Sequence, residues 1–255
     1  MNRYLTTACT FLAALMPWMQ SAQAQTPAAT PPAPIEAFYC TMQPGKSMKD
    51  VMQVAQRFSK WADKNQNEYS AWILTPQFAQ FDEVPQLIWL GASPSGGPFG
   101  KGLDAWQASG GDIQKDFDDV MACGGHALAS SVEINAPDGS PGDGVVMFTE
   151  CSIAEGSDWQ KAIGAHKKYS AAMRSLGAKN SNWMFFPMLG GREDMDFDYW
   201  GVVTFDNWEA YFSAYEIYVN GGGWKKGMEV MNGVASCGQG TATVWDVKLV
   251  RNGAE

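Results

Sequence analysis

Residues 71–78 read AWILTPQF, and residues 182–189 read NWMFFPML. Both are apolar runs with tryptophan in the second place and proline in the sixth, and they stand 111 residues apart. The same shift carries Cys40 onto Cys151, Gly45 onto Gly156, Met48 onto Trp159 and Trp89 onto Trp200. Further along, a shift of 114 carries Cys123-Gly124 onto Cys237-Gly238. Two tryptophans, a proline and a cysteine kept in one register mark an internal repeat. Between the copies, residues 135–144 read NAPDGSPGDG, a polar, Gly/Pro-rich connection. The copies then cover residues 36–135 and 145–251, with a linker at 136–144.

Each copy reads as strand, helix, strand, strand, helix, strand. Residues 37–41 and 145–151 are β-type runs. Ser47 caps the first helix with Asp50 three places on, and Val51, Val54, Phe58 and Trp61 give it an apolar stripe. Ser157 is the matching cap in the second copy, ahead of Trp159, Ala162, Ile163, His166, Tyr169 and Met173. Strands follow at 71–75 and 86–91, matched by 182–186 and 199–204. Helical regions broken by glycines come next, at 103–121 and 208–234. The last strands are 128–134 and 241–250. This βαββαβ order is that of a ferredoxin-like unit.

Both faces of the middle strands are apolar. Trp72 and Leu74 alternate with Ile73, and Leu87 and Trp89 with Ile88 and Leu90. A sheet covered on one side only would show water a polar second face. The predicted fold is therefore α+β, with two tandem ferredoxin-like units, helices outside and antiparallel sheets packed face to face as a pseudo-dimeric α/β barrel. In element order and duplication the chain resembles the fused dimeric α/β-barrel superfamily, which includes antibiotic-biosynthesis-monooxygenase-like, NIPSNAP-like and chlorite-dismutase-like proteins. The resemblance spans residues 36–251 and implies a fold. It matches no catalytic motif and carries no catalytic residue over.

The N-terminus reads MNRYLTTACTFLAALMPWMQSAQA. Arg3 precedes an apolar run, and Ala22-Gln23-Ala24 has the small-x-small form of a cleavage site, so residues 1–24 are expected to be a cleaved export signal. A Pro/Ala-rich leader occupies 25–35. Removing 24 of 255 residues leaves 231, and losing Arg3 takes the net charge from −9 to −10. That charge argues against a nucleic-acid partner, and the apolar run is too short to span a membrane stably. The expected location is periplasmic or secreted, and the oligomeric state is left open.

Of five cysteines, Cys9 leaves with the signal. Four in an exported chain imply two disulfides, for which three connectivities exist. The repeat puts one cysteine near each end of each copy, so the expected pairs are Cys40–Cys123 and Cys151–Cys237.

If Cys40 reaches the end of a helix, strand alternation turns Tyr39 and Thr41 into the space between the sheets. In the second copy Phe148, Glu150 and Ser152 point the same way. These five are the expected ligand-binding residues, and Glu150, in an aromatic interior, is the candidate catalytic base. His166 falls on an apolar helix stripe and reads as a core histidine. The superfamily resemblance adds haem on His166 as an alternative, because chlorite-dismutase-like relatives bind haem in one of two fused units. Otherwise no cofactor and no metal are expected. His126, after Cys123-Gly-Gly, reads as exposed or capping. There is no GxSxG, P-loop, GxGxxG, HExxH or CxxC motif.

The expected function is a module binding a small hydrophobic or aromatic ligand. The alternatives are a cofactor-free oxygenase or isomerase with a buried carboxylate base, and a structural or partner-binding scaffold.

Overall fold

The computed structural model describes residues 30–79, 84–191, 195–238, 240 and 242–253. The expected export signal at 1–24 and residues 25–29 of the expected leader lie outside the described residues. The first half contains β1 (Ala33–Met42), α1 (Met48–Lys64), β2 (Ser70–Phe78), β3 (Leu87–Ala92), α2 (Gly96–Ser109), α3 (Gly111–Val120) and β4 (Met121–Asn135). The second half contains β5 (Gly144–Ile153), α4 (Trp159–Ser175), β6 (Ser181–Leu189), β7 (Tyr199–Phe205), α5 (Trp208–Val219), α6 (Gly223–Met231), β8 (Ala235–Cys237) and β9 (Thr243–Arg251).

Local chemistry sets the helix ends. The Ser47 backbone N–H and hydroxyl both donate to Asp50 Oδ2, at 2.9 and 2.6 Å, and fix the first turn of α1. Val51, Val54, Ala55, Phe58 and Ala62 then recur on one face and are buried. In α4 the cap is Asp158, not Ser157. Its carboxylate accepts from the Lys161 N–H at 2.8 Å, which brings negative charge to the helix N-terminus.

In the first half β1 lies between β3 and β4, and β2 pairs with β3. In the second, β5 lies between β7 and β9, and β6 pairs with β7. The edges then join, β4 to β6 and β2 to β9. Eight antiparallel strands thus close into a barrel, and short β8 is added on β5. The face-to-face expectation needs this adjustment: the strands form one curled sheet rather than two stacked ones. Closure satisfies the backbone groups that two separate sheets would leave unpaired at four edges.

Strand alternation divides the core. Ile35, Leu74, Ile88 and Ala129 meet Val146, Phe185, Val202 and Trp245 inside the barrel, with Trp72, Trp183 and Trp200 packed against them. The opposite faces of the strands pack on the helices. In the first half that layer holds Cys40, Phe58, Ile73, Leu87, Trp89 and Phe117. Trp89 and Trp200, aligned by the 111-residue shift, therefore lie on opposite faces. Cys40 pairs with Leu87 and Cys151 with Tyr199, so the shift across β3 and β7 is 112 and Trp89 matches Gly201.

The two disulfides are Cys40–Cys123 and Cys151–Cys237. Cys123 and Cys237 sit on strands β4 and β8 rather than at helix ends, because β4 begins at Met121, directly after α3. Disulfides of this kind belong to an oxidising compartment. No helix among the described residues is long and apolar enough to cross a membrane.

Candidate functional site

The residues singled out in the sequence are only partly brought together. Tyr39 and Phe148 pack inside the barrel, and burial raises the Tyr39 hydroxyl pKa. Glu150 is half-buried, opposite Trp200 on β7, and its backbone carbonyl accepts from the Gly238 N–H at 2.9 Å. Thr41 is exposed and donates to the Ala122 carbonyl at 3.4 Å; Ser152 donates to the Asp196 carbonyl at 3.4 Å. None of the five lines the large cavity of the molecule.

That cavity, of about 490 Å³, lies on the other face of the sheet, between β1, β3 and β4 and helices α1, α2 and α3. Its volume falls within the range of small-molecule sites. Eight aromatic side chains line it: Phe38, Phe58, Trp61, Tyr69, Trp89, Phe99, Trp106 and Phe117. Phe58 is the hub, edge-on to Tyr69, Trp89 and Trp106 at 5.8, 5.1 and 5.8 Å. The α2 segment is glycine-rich (GGPFGKG, residues 96–102) and buries no residue completely. It reaches the cavity with Phe99, Leu103 and Trp106. Leu103 and His126 are both substantially exposed and mark the mouth.

One carboxylate sits in this apolar wall. Even-numbered positions of β1 face the helices, which puts Glu36 beside Phe38. Gly91 is its neighbour across β3, and a Cβ there would coincide with the Tyr69 hydroxyl. Lacking one, Gly91 lets the Tyr69 ring pass over the strand and donate to Glu36 Oε1 at 2.7 Å. Trp89 Nε1–H in turn donates to the Tyr69 oxygen at 3.1 Å. His126 Nε2 pairs with Glu36 Oε2 at 2.7 Å, and its ring stacks on Phe38 at 3.8 Å. The Glu36 side chain is only 6% exposed, against 49% for His126. Burial and then the Glu36 charge push the Tyr69 hydroxyl well above its ordinary pKa, so it stays protonated and remains a donor.

His126 is therefore more than an exposed or capping residue. Glu36, Tyr69 and Asn67 were missed in the sequence. Asn67 is among the lining residues, and its side-chain oxygen is buried without a hydrogen-bond partner.

His166 lies in the helix layer of the second half. Its Nε2 is 2.9 Å from the Tyr199 hydroxyl, and the rings meet edge-on at 5.5 Å. It lies beside the sulfurs of Cys151 and Cys237, which are bonded to each other and so are not free to hold a metal. Burial lowers its pKa from 6.5 to about 4. The unfolded chain then binds more protons between these values. Stability is full above pH 6.5 and is lost as pH falls towards 4. For a partly buried ring the loss is on the order of 2 kcal/mol. Urea titrations near neutrality and at about pH 4.5 should show it, and His166→Gln should flatten the slope. An unchanged slope in that variant would contradict the assignment.

No protein-family model and no curated protein matches the sequence. Solved structures do match, at fold level. A Fusobacterium nucleatum protein provisionally assigned as a monooxygenase is 8% identical, with 88% of this chain and 94% of that one covered at a TM-score of 0.53. A chlorite dismutase variant from Candidatus Nitrospira defluvii, in complex with cyanide, is 7% identical, with 86% and 91% covered at 0.51. A haem-binding protein from Thermus thermophilus is 9% identical, with 86% and 94% covered at 0.49. The chain has the dimeric α/β-barrel fold of these proteins.

The expectation of no cofactor is corrected here, because the fold is shared with a chlorite dismutase and so gives no ground for that absence. The narrower expectation, haem on His166, does not fit the residues there. Nε2 of the ring is hydrogen-bonded to the Tyr199 hydroxyl. A Cβ on the facing Gly201 would already meet Cys151 Sγ at 3.3 Å and His166 Cε1 at 3.7 Å, so that layer is filled. The first-half cavity presents Glu36 and Asp118 and no lysine or arginine to meet haem propionates.

Proposed function

We propose that the chain is an exported binding protein that holds an apolar, aromatic small molecule between its first-half sheet and α1–α3. The observation that carries this reading is the cavity of about 490 Å³, walled by eight aromatic rings around one buried carboxylate. Stacking and edge contacts would supply affinity, and the Glu36 cluster would orient the ligand's polar end. The paired cysteines favour a periplasmic or secreted location with residues 1–24 removed. The strand orders β4-β1-β3-β2 and β9-β5-β7-β6 favour descent from a duplicated ferredoxin-like unit, with units 36–135 and 145–251 and a linker at 136–144.

The neutral dye phenylnaphthylamine tests the binding reading. Three tryptophans line the cavity, so saturable dye binding should quench tryptophan fluorescence as dye emission rises. Trp106→Ala, on the exposed side of the site, should weaken binding roughly tenfold by removing one stacking partner. Absence of saturable binding, or binding indifferent to this substitution, would overturn the proposal.

A further inference from the structure

We infer that the ligand is an organic cation, a protonated arylalkylamine whose ammonium group sits against Glu36. The inference rests on the binding reading above and names the chemistry of that site. Three observations converge. The first is charge: the lining carries Glu36 and Asp118 and no lysine or arginine. The nearby buried cation, Arg251, is already committed; it pairs with Asp63 at 2.8 Å and donates to the backbone carbonyls of Asn67 and Tyr69. The basic side chain that the cavity wall sets against Glu36 is His126, half-exposed at the mouth.

The second observation is hydrogen-bonding capacity. Each Glu36 oxygen takes one partner, Tyr69 or His126, and a carboxylate can accept about four hydrogen bonds. Unused acceptor capacity on a buried carboxylate is costly, and an N–H-bearing cation would supply the donors. The third is the wall itself. Ring faces attract cations, most strongly where water is excluded. Eight rings around a carboxylate are suited to an ammonium attached to an aromatic body, and they are unsuited to an anion.

The test is isothermal calorimetry at neutral pH on the mature, oxidised chain, with three probes of one shape: naphthylethylamine, naphthylethanol and naphthylacetate. The amine should bind roughly tenfold or more tighter than the alcohol, and the acetate should not bind measurably. Glu36→Gln should remove the amine's advantage over the alcohol, with circular dichroism and the urea unfolding midpoint reporting that the variant is folded. If that variant does not fold, the comparison of amine with alcohol on the unaltered chain still decides. An alcohol that binds as tightly as the amine overturns the cation assignment and leaves the binding reading standing. Failure of all three probes overturns both.

Discussion

Replacing Cys40 and Cys123 together with alanine is expected to lower the free energy of unfolding by about 4–5 kcal/mol in the chain-entropy view of disulfides. The bond closes a loop with a sequence separation of 83, and freeing that loop enlarges the unfolded ensemble. Cys40 is fully buried in the helix-side layer, so the truncation also removes packing. The second bond spans a separation of 86, so Cys151→Ala with Cys237→Ala should cost a similar amount. Function separates the two pairs. Cys123 lines the cavity and Cys151 and Cys237 do not, so only the first double variant should also weaken dye binding. Urea unfolding without reductant measures the stability, and a loss below about 1 kcal/mol in both variants would contradict the assigned role.

Leu74→Ala is expected to cost about 3–4 kcal/mol, within the range for truncating a fully buried leucine. Leu74 is completely buried inside the barrel, at the seam where β2 meets Val247 of β9. Its burial depends on closure. If the two halves were not joined along this seam, Leu74 would face water and the loss would be small. Met188→Ala, at an exposed position near the end of β6, should change stability by no more than about 0.5 kcal/mol. Equal effects from the two substitutions would argue against a closed barrel.

Much of this architecture is legible in the sequence because its determinants are local and periodic. Alternation along the strands correctly turns Trp72, Leu74, Tyr39 and Phe148 to one face, and Ile73 and Trp89 to the other. That orientation holds even though its premise fails, since Cys40 reaches a neighbouring strand and not a helix end. The misreading of Trp89 against Trp200 has a simple cause. A single extra residue between β6 and β7 changes the shift from 111 to 112, and one residue reverses every side chain of a strand.

The cavity was hidden for a different reason. Its walls come from the glycine-rich α2, from the start of β4 and from Glu36, which lies just ahead of the strand as read from sequence. A Gly-Gly pair before His126 resembles a loop, yet here it lies within β4. The signal that could have found the site is the rule applied to Glu150. Glu36 shares the parity of Cys40, so it must face the aromatic helix layer. The Asn67 side chain and the passage of Tyr69 over Gly91 depend on three-dimensional proximity, and no spacing encodes them.

The most direct measurement is a crystal structure of the mature protein grown with phenylnaphthylamine. The dye is predicted between Trp89, Trp106 and Phe117, with the N–H that joins its two aryl groups turned towards Glu36. Dye found inside the barrel beside Tyr39 and Phe148, or on the outer face of α5 and α6, would contradict the placement of the site.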